Sequence, residues 1–142
     1  MTYRILMVAL AAVALVVSGC STGGHGSAPN FDIDDLASSA GVTATQAQEG
    51  LGCMLLFAQR RLDTGQYQQI AQLIPDGESF KTQATDSCAF KGSISSANEL
   101  AAAMSDLGLS PTQSSKLEAG VLEYLSKVGE PGVEEMFSGA LK

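Results

Sequence analysis

From residue 31 to the end of the chain, apolar residues recur three or four positions apart, the spacing of amphipathic helices. Residues 31–39 give a short first helix with Ile33, Leu36, Ala37 and Ala40 on one side, and Gly41-Val42 breaks it. Thr43 with Gln46 forms a capping-box pair that opens a second helix. Its buried stripe is Leu51, Met54, Leu55, Ala58 and Leu62. Asp63 with Gln66 caps a third helix, which carries Tyr67, Ile70, Ala71, Leu73 and Ile74 before Pro75. Residues 75–95 read as irregular, with one short helical turn near Phe80. Ser96 with Glu99 opens a fourth helix, bearing Leu100, Ala103, Met104 and Leu107, that Gly108 ends. Ser110-Pro111 with Gln113 starts a fifth, because proline is preorganised for the first helical position. That helix shows Leu117, Val121, Tyr124, Leu125 and Val128. A last helix begins near Pro131 with Val133, Met136, Phe137, Ala140 and Leu141. No stretch alternates as a strand would. The pattern predicts an all-α fold, a small bundle of about six helices.

Shifting the chain by 67 residues lays its second half on its first without a gap. GVTATQ at 41–46 falls on GLSPTQ at 108–113. Leu55 falls on Leu122, Phe57 on Tyr124, Arg60 on Lys127, Ile70 on Phe137 and Ile74 on Leu141. The turn residues Asp63 and Gly65 fall on Glu130 and Gly132. Two pseudo-repeated three-helix units joined by residues 75–95 are therefore expected. Gly50 and Gly52 inside the second helix and Gly120 inside the fifth each cost about 1 kcal/mol against Ala. Close approach of the two long helices near Gly52 and Gly120 would offset that.

Upstream of residue 31 the pattern changes. Arg4 is followed by Ala, Val, Leu, Ile and Met over residues 5–17, and then by Ser18-Gly19-Cys20. A positive start, a short apolar core and small residues at a cut define a secretory signal peptide, too short to span a membrane. The cysteine at the cut resembles the lipobox of bacterial lipoproteins. The resemblance implies cleavage between Gly19 and Cys20, a diacylglycerol on the Cys20 thiol and an acylated amino group. Several acyl chains anchor lastingly, since each buried methylene contributes about 0.8 kcal/mol and one chain holds only marginally. Ser21, where retention in the inner membrane often uses Asp, leans toward a periplasm-facing outer-membrane lipoprotein. The expected organisation is a signal peptide at 1–19, the lipidated cysteine and a flexible tether at 20–30, and a helical domain at 31–142. The tether STGGHGSAPN would span roughly 17 Å. Its His25 stands alone, without metal-binding partners nearby.

Removing residues 1–19 takes Arg4 away and leaves seven basic against fifteen acidic side chains, a net charge of −8. Nucleic acid, which needs a cationic surface, is excluded as a partner. A protein face that clings to anionic headgroups is disfavoured for the same reason.

Cys53 and Cys88 are the remaining cysteines. Export would place them in an oxidising compartment, where pairing is expected. Cys53 points nearly opposite Leu51 on its helix, and the segment around Cys88, flanked by Phe80 and Phe90, could cover that face. A bond between them would stabilise by about 4 kcal/mol in the chain-entropy model. Two buried free thiols, a redox pair and a metal pair are the alternatives.

Other chemistry is thinly represented. Asp32, Asp34 and Asp35 lack the spacing and central glycine of a calcium loop and suit the first turn of a helix. Arg60-Arg61 suit a helix C-terminus. The only histidine, His25, lies in the tether, so no Ser-His-acid triad can form. No phosphate loop or nucleotide fingerprint occurs. The residues point to no enzyme, no metal and no cofactor.

The segment from Gly41 to Asp63, the IPDG at 74–77 and the LGLSP at 107–111 resemble the VcgC/VcgE family of bacterial exported proteins. The likeness spans most of residues 31–141. It implies an all-helical domain with no known activity, so no catalytic residue carries over. The chain departs from that pattern in its shorter middle and in having Cys53 and Cys88. Together these readings describe a membrane-anchored envelope lipoprotein with a non-catalytic binding or structural domain. Its partners would be the bilayer, through Cys20, and another envelope protein. The alternative is a periplasmic carrier of a small apolar ligand or lipid, with a pocket among Met54, Leu55, Phe57, Tyr124, Met136 and Phe137.

Overall fold

A computed structural model describes residues 30–88 and 94–142. Among them are seven α-helices and no strand: α1 Ile33–Ala40, α2 Ala44–Arg61, α3 Thr64–Leu73, α4 Gly77–Ser87, α5 Ala97–Asp106, α6 Pro111–Val128 and α7 Val133–Ala140. Gly19, Cys20, the rest of the signal and tether segments with His25, and Phe90 lie outside the described residues.

The helix starts follow local chemistry. Thr43, Asp63, Ser96 and Ser110 each accept a bond from the backbone N–H three residues on, and Gln46, Gln66, Glu99 and Gln113 return one. Each box satisfies two N–H groups that a helix start leaves unpaired. Asp32 caps α1 through the N–H groups of Asp34 and Asp35, at 2.8 and 3.3 Å. Gly41 ends α1 and Gly108 follows α5, both left-handed at φ 71° and 80°.

The all-α bundle of about six helices is found, with seven among the described residues, and the expected irregular 75–95 stretch is corrected at one place. Gly77–Ser87 form an eleven-residue helix, α4. Its buried side is Gly77, Phe80, Lys81 and Ala84, which has helical spacing but only one large apolar residue. Its N-cap, Asp76, sits at φ 59° and makes no side-chain cap bond, so the start has no capping box to announce it. Lys81 joins the buried side because its methylene stem packs while its ammonium finds polar partners.

The 67-residue repeat holds in three dimensions. The bounds of α2 and α6 coincide residue for residue under the shift. The halves also exchange partners: α1 packs on α6, and α5 packs on α2. Gln46 Nε2 donates to Leu107 O at 3.0 Å, and Gln113 Nε2 donates to Gly41 O at 2.7 Å. The α2–α6 contact runs past Gly50, where a Cβ would stand 2.7 Å from Leu117 Cδ2. Gly50 and Leu117 are equivalent positions, so the pseudo-twofold axis passes beside them. The expected close approach at Gly52 and Gly120 is therefore corrected. Gly52 admits the backbone of α4 at Phe80, and Gly120 admits the Leu36 side chain of α1.

One core serves both halves. Leu51, Leu55, Phe57, Ile70, Leu117, Val121, Leu125 and Phe137 are fully buried within it. Phe31, just before α1, meets Tyr124 of α6 edge-on at 5.0 Å and lies 6.4 Å from Phe80 of α4. Tyr124 Oη in turn donates to Leu73 O at 2.9 Å. Under the shift, no helix among the described residues corresponds to α4. The α6 face that matches the α4 seat carries Ser115, Lys116, Ala119, Glu123 and Ser126, all exposed.

Candidate functional site

Among the described residues a groove lies between α5 and α6. Leu100 and Met104 form one wall, Leu109 and Pro111 lie at its end, and Met54 of α2 and Leu141 complete the apolar lining. Ala97 and Ala101 keep the α5 edge low. Ser105, Ser114, Ser115 and Glu118 supply the polar rim. The cavity measures about 270 Å³. That exceeds the ~150 Å³ apolar cavity that admits benzene and falls near the ~300 Å³ lower end of small-molecule pockets. Glu118 makes no hydrogen bond or ion pair among the described residues.

Under the repeat, Glu118 and Ser114 correspond to Leu51 and Ala47. Both of those are fully buried in the first half. Where one half fills its core with Leu and Ala, the other presents a carboxylate and a hydroxyl beside an open cavity. A second cleft, also about 270 Å³, lies between Phe31, Asp32 and Asp35 on one side and Glu123, Tyr124 and Lys127 on the other. Its rim is charged on both sides, and Lys127 is already engaged with Glu123 at 2.6 Å.

The six residues that a carrier's pocket would use, and that serve equally as ordinary core, lie mostly in the core. Leu55, Phe57 and Phe137 are fully buried, and Tyr124 lies in the charged cleft. Only Met54 reaches the groove. A stripe of large apolar side chains at helical spacing closes on itself as core; the open space falls where small and polar residues interrupt it.

Cys53 and Cys88 do come together, as a disulfide with Cα atoms 5.8 Å apart, inside the usual range. Both are buried, and the bond ties the end of α4 to the middle of α2. The neighbouring Ser87 Oγ bonds Glu49 Oε1 at 3.4 Å. This is structural placement, far from the groove's polar rim in sequence and element.

Lys81 is the one buried charged residue among the described residues. Its ammonium bonds Gln59 Oε1 at 3.2 Å, pairs with Glu78 at 2.9 Å and stands 4.9 Å over the Tyr67 ring. Burial alone would lower its pKa; Tyr67 and Glu78 outweigh burial and raise it. The Tyr67 hydroxyl is itself buried, and Lys81 stands over the face of its ring. Residue spacing carries no sign of this cluster, because its members come from α2, α3 and α4.

Asp32, Asp34 and Asp35 act at the start of α1. Arg60 and Arg61 end α2, with the Arg61 guanidinium 5.1 Å over the Phe57 ring. No group of three or more His, Cys, Asp or Glu able to hold a metal ion occurs among the described residues. No helix among them is long and apolar enough to cross a membrane.

The family described as protein of unknown function VcgC/VcgE (DUF2780) matches residues 32–142. The chain belongs to this family. The match begins at the cap of α1 and takes in all seven helices, so the VcgC/VcgE domain is the whole helical body described above. No curated protein and no solved structure matches the chain.

Proposed function

We propose that this VcgC/VcgE protein is a membrane-anchored lipoprotein of the bacterial envelope, with a non-catalytic helical domain that binds or organises another envelope protein. The observation that carries this reading is the run Val17-Ser18-Gly19-Cys20 behind a positively started apolar core. The acylated Cys20 would hold the domain to the periplasmic face of the outer membrane. The helical body supports a binding role rather than chemistry. The chain's only histidine lies outside it, and eight of its polar side chains are engaged in four capping boxes. Labelled palmitate should enter the protein in cells, and Cys20→Ala should move it from the membrane to the soluble fraction. Identical fractionation of the two forms would overturn the reading. Crosslinking in envelopes, followed by capture, should then yield one dominant protein.

A second reading, a carrier of a small apolar ligand, is favoured by the α5–α6 groove. Native mass spectrometry of protein taken from cells should show a bound small molecule if this is its role.

A further inference from the structure

We infer that the α5–α6 groove binds a single-chain amphiphile with a cationic head: its alkyl chain lies between Leu100, Met104, Leu109 and Met54, and its head meets Glu118. This rests on the carrier reading and names the ligand class of that site.

Three observations converge on it. The first is the size. About 270 Å³ suits one medium-length alkyl chain and falls short of a multi-chain lipid. The second is the lining. Two methionines, Met54 and Met104, face the cavity among leucines. Methionine's unbranched thioether adapts to a flexible occupant without a fixed shape. The third is the break in the repeat. Position 51 is a buried Leu, and its counterpart is Glu118, unpaired at the rim. An unpaired carboxylate beside an apolar hollow attracts a cation and repels a fatty carboxylate. No basic side chain lines the groove to reverse that sign.

The test uses the mature chain with decyltrimethylammonium and decanoate, each below its micelle concentration, and decanol below its solubility limit. Binding is read by calorimetry and by amide shifts. The ammonium should bind at least tenfold more tightly than the carboxylate, with shifts centred on Leu100, Met104 and Glu118. Glu118→Gln should remove the charge preference and leave decanol binding unchanged. Ala101→Phe, on the exposed edge of α5, should block all three probes while the far-ultraviolet spectrum stays the same. Equal binding of cation and carboxylate, or shifts centred elsewhere, would overturn the inference. So would no binding by any probe. If the probes fail but protein from cells carries another small molecule, the carrier reading stands and this ligand class falls. If nothing binds in either experiment, both fall together.

Discussion

Gln46 and Gln113, equivalent residues of the two halves, each reach across to the other half's helix-ending turn. Gln46 donates to Leu107 O at 3.0 Å and Gln113 donates to Gly41 O at 2.7 Å. The same two side chains use their Oε1 atoms to accept from the N–H of Thr43 and Ser110. Each amide therefore starts its own helix with its oxygen and ties the halves together with its nitrogen. Glutamate could perform the first task but, when ionised, not the second.

That division gives a clean substitution. Gln113→Glu keeps the cap acceptor and removes the donor to Gly41, so it should cost about 1 kcal/mol at neutral pH. Gln46→Glu should behave alike, and the double variant should lose about the sum. The urea midpoint, at unchanged slope, checks this.

Removing the Cys53–Cys88 bond should cost about 4 kcal/mol in the chain-entropy model. Cys53→Ala with Cys88→Ala avoids leaving a polar group in two buried sites. Without reductant, alkylation of the native protein should modify neither residue. Mass spectrometry of the two samples and a thermal melt check both points.

Two glycines should respond with opposite sign. Gly52→Ala would push a Cβ into the Phe80 backbone, which cannot step aside while the disulfide holds α4 down. It should destabilise by about 1–3 kcal/mol, the usual cost of overpacking. Gly139 lies in α7 with nothing near its Cβ direction. Gly139→Ala should stabilise by up to about 1 kcal/mol. Melting temperatures of the pair decide it.

Acid should loosen the α5 start. Backbone and side-chain bonds from Ser95, joined by those from Ser96, hold the Glu99 carboxyl below its ordinary value. A carboxyl lowered in the folded state stabilises above its unfolded pKa, near 4.5, and loses that contribution as pH falls through the folded value. Lys127 lowers Glu123 in the same direction. Lys81, raised in the fold, contributes below about 10.5 and loses it in alkali. Stability curves of Glu99→Gln should be flatter than those of the native chain between pH 5 and pH 3, and parallel above pH 6.

Much of the fold was legible because short-range chemistry writes it. Thr43/Gln46, Asp63/Gln66, Ser96/Glu99 and Ser110/Gln113 each announce a helix within four residues, and all four boxes formed. The repeat was legible because its capping and turn residues recur in register. α4 escaped because Asp76 caps by backbone shape and because Gly77, Lys81 and Ala84 look nothing like an apolar stripe. The glycine contacts were misread for a related reason. A glycine advertises an approach but not the approaching part, and here Phe80 and Leu36 were the partners. The groove was hidden because it depends on what Glu118 and Ser114 fail to fill. The Lys81 cluster was hidden because three separate helices build it.

Phe31 has a mechanical meaning. It wedges between Tyr124 of the second half and Phe80 of the first, at the point where the chain joins the domain. A pull applied to the chain ahead of residue 30 would thus load α4 and α6 together through these two ring contacts before it reached the short α1.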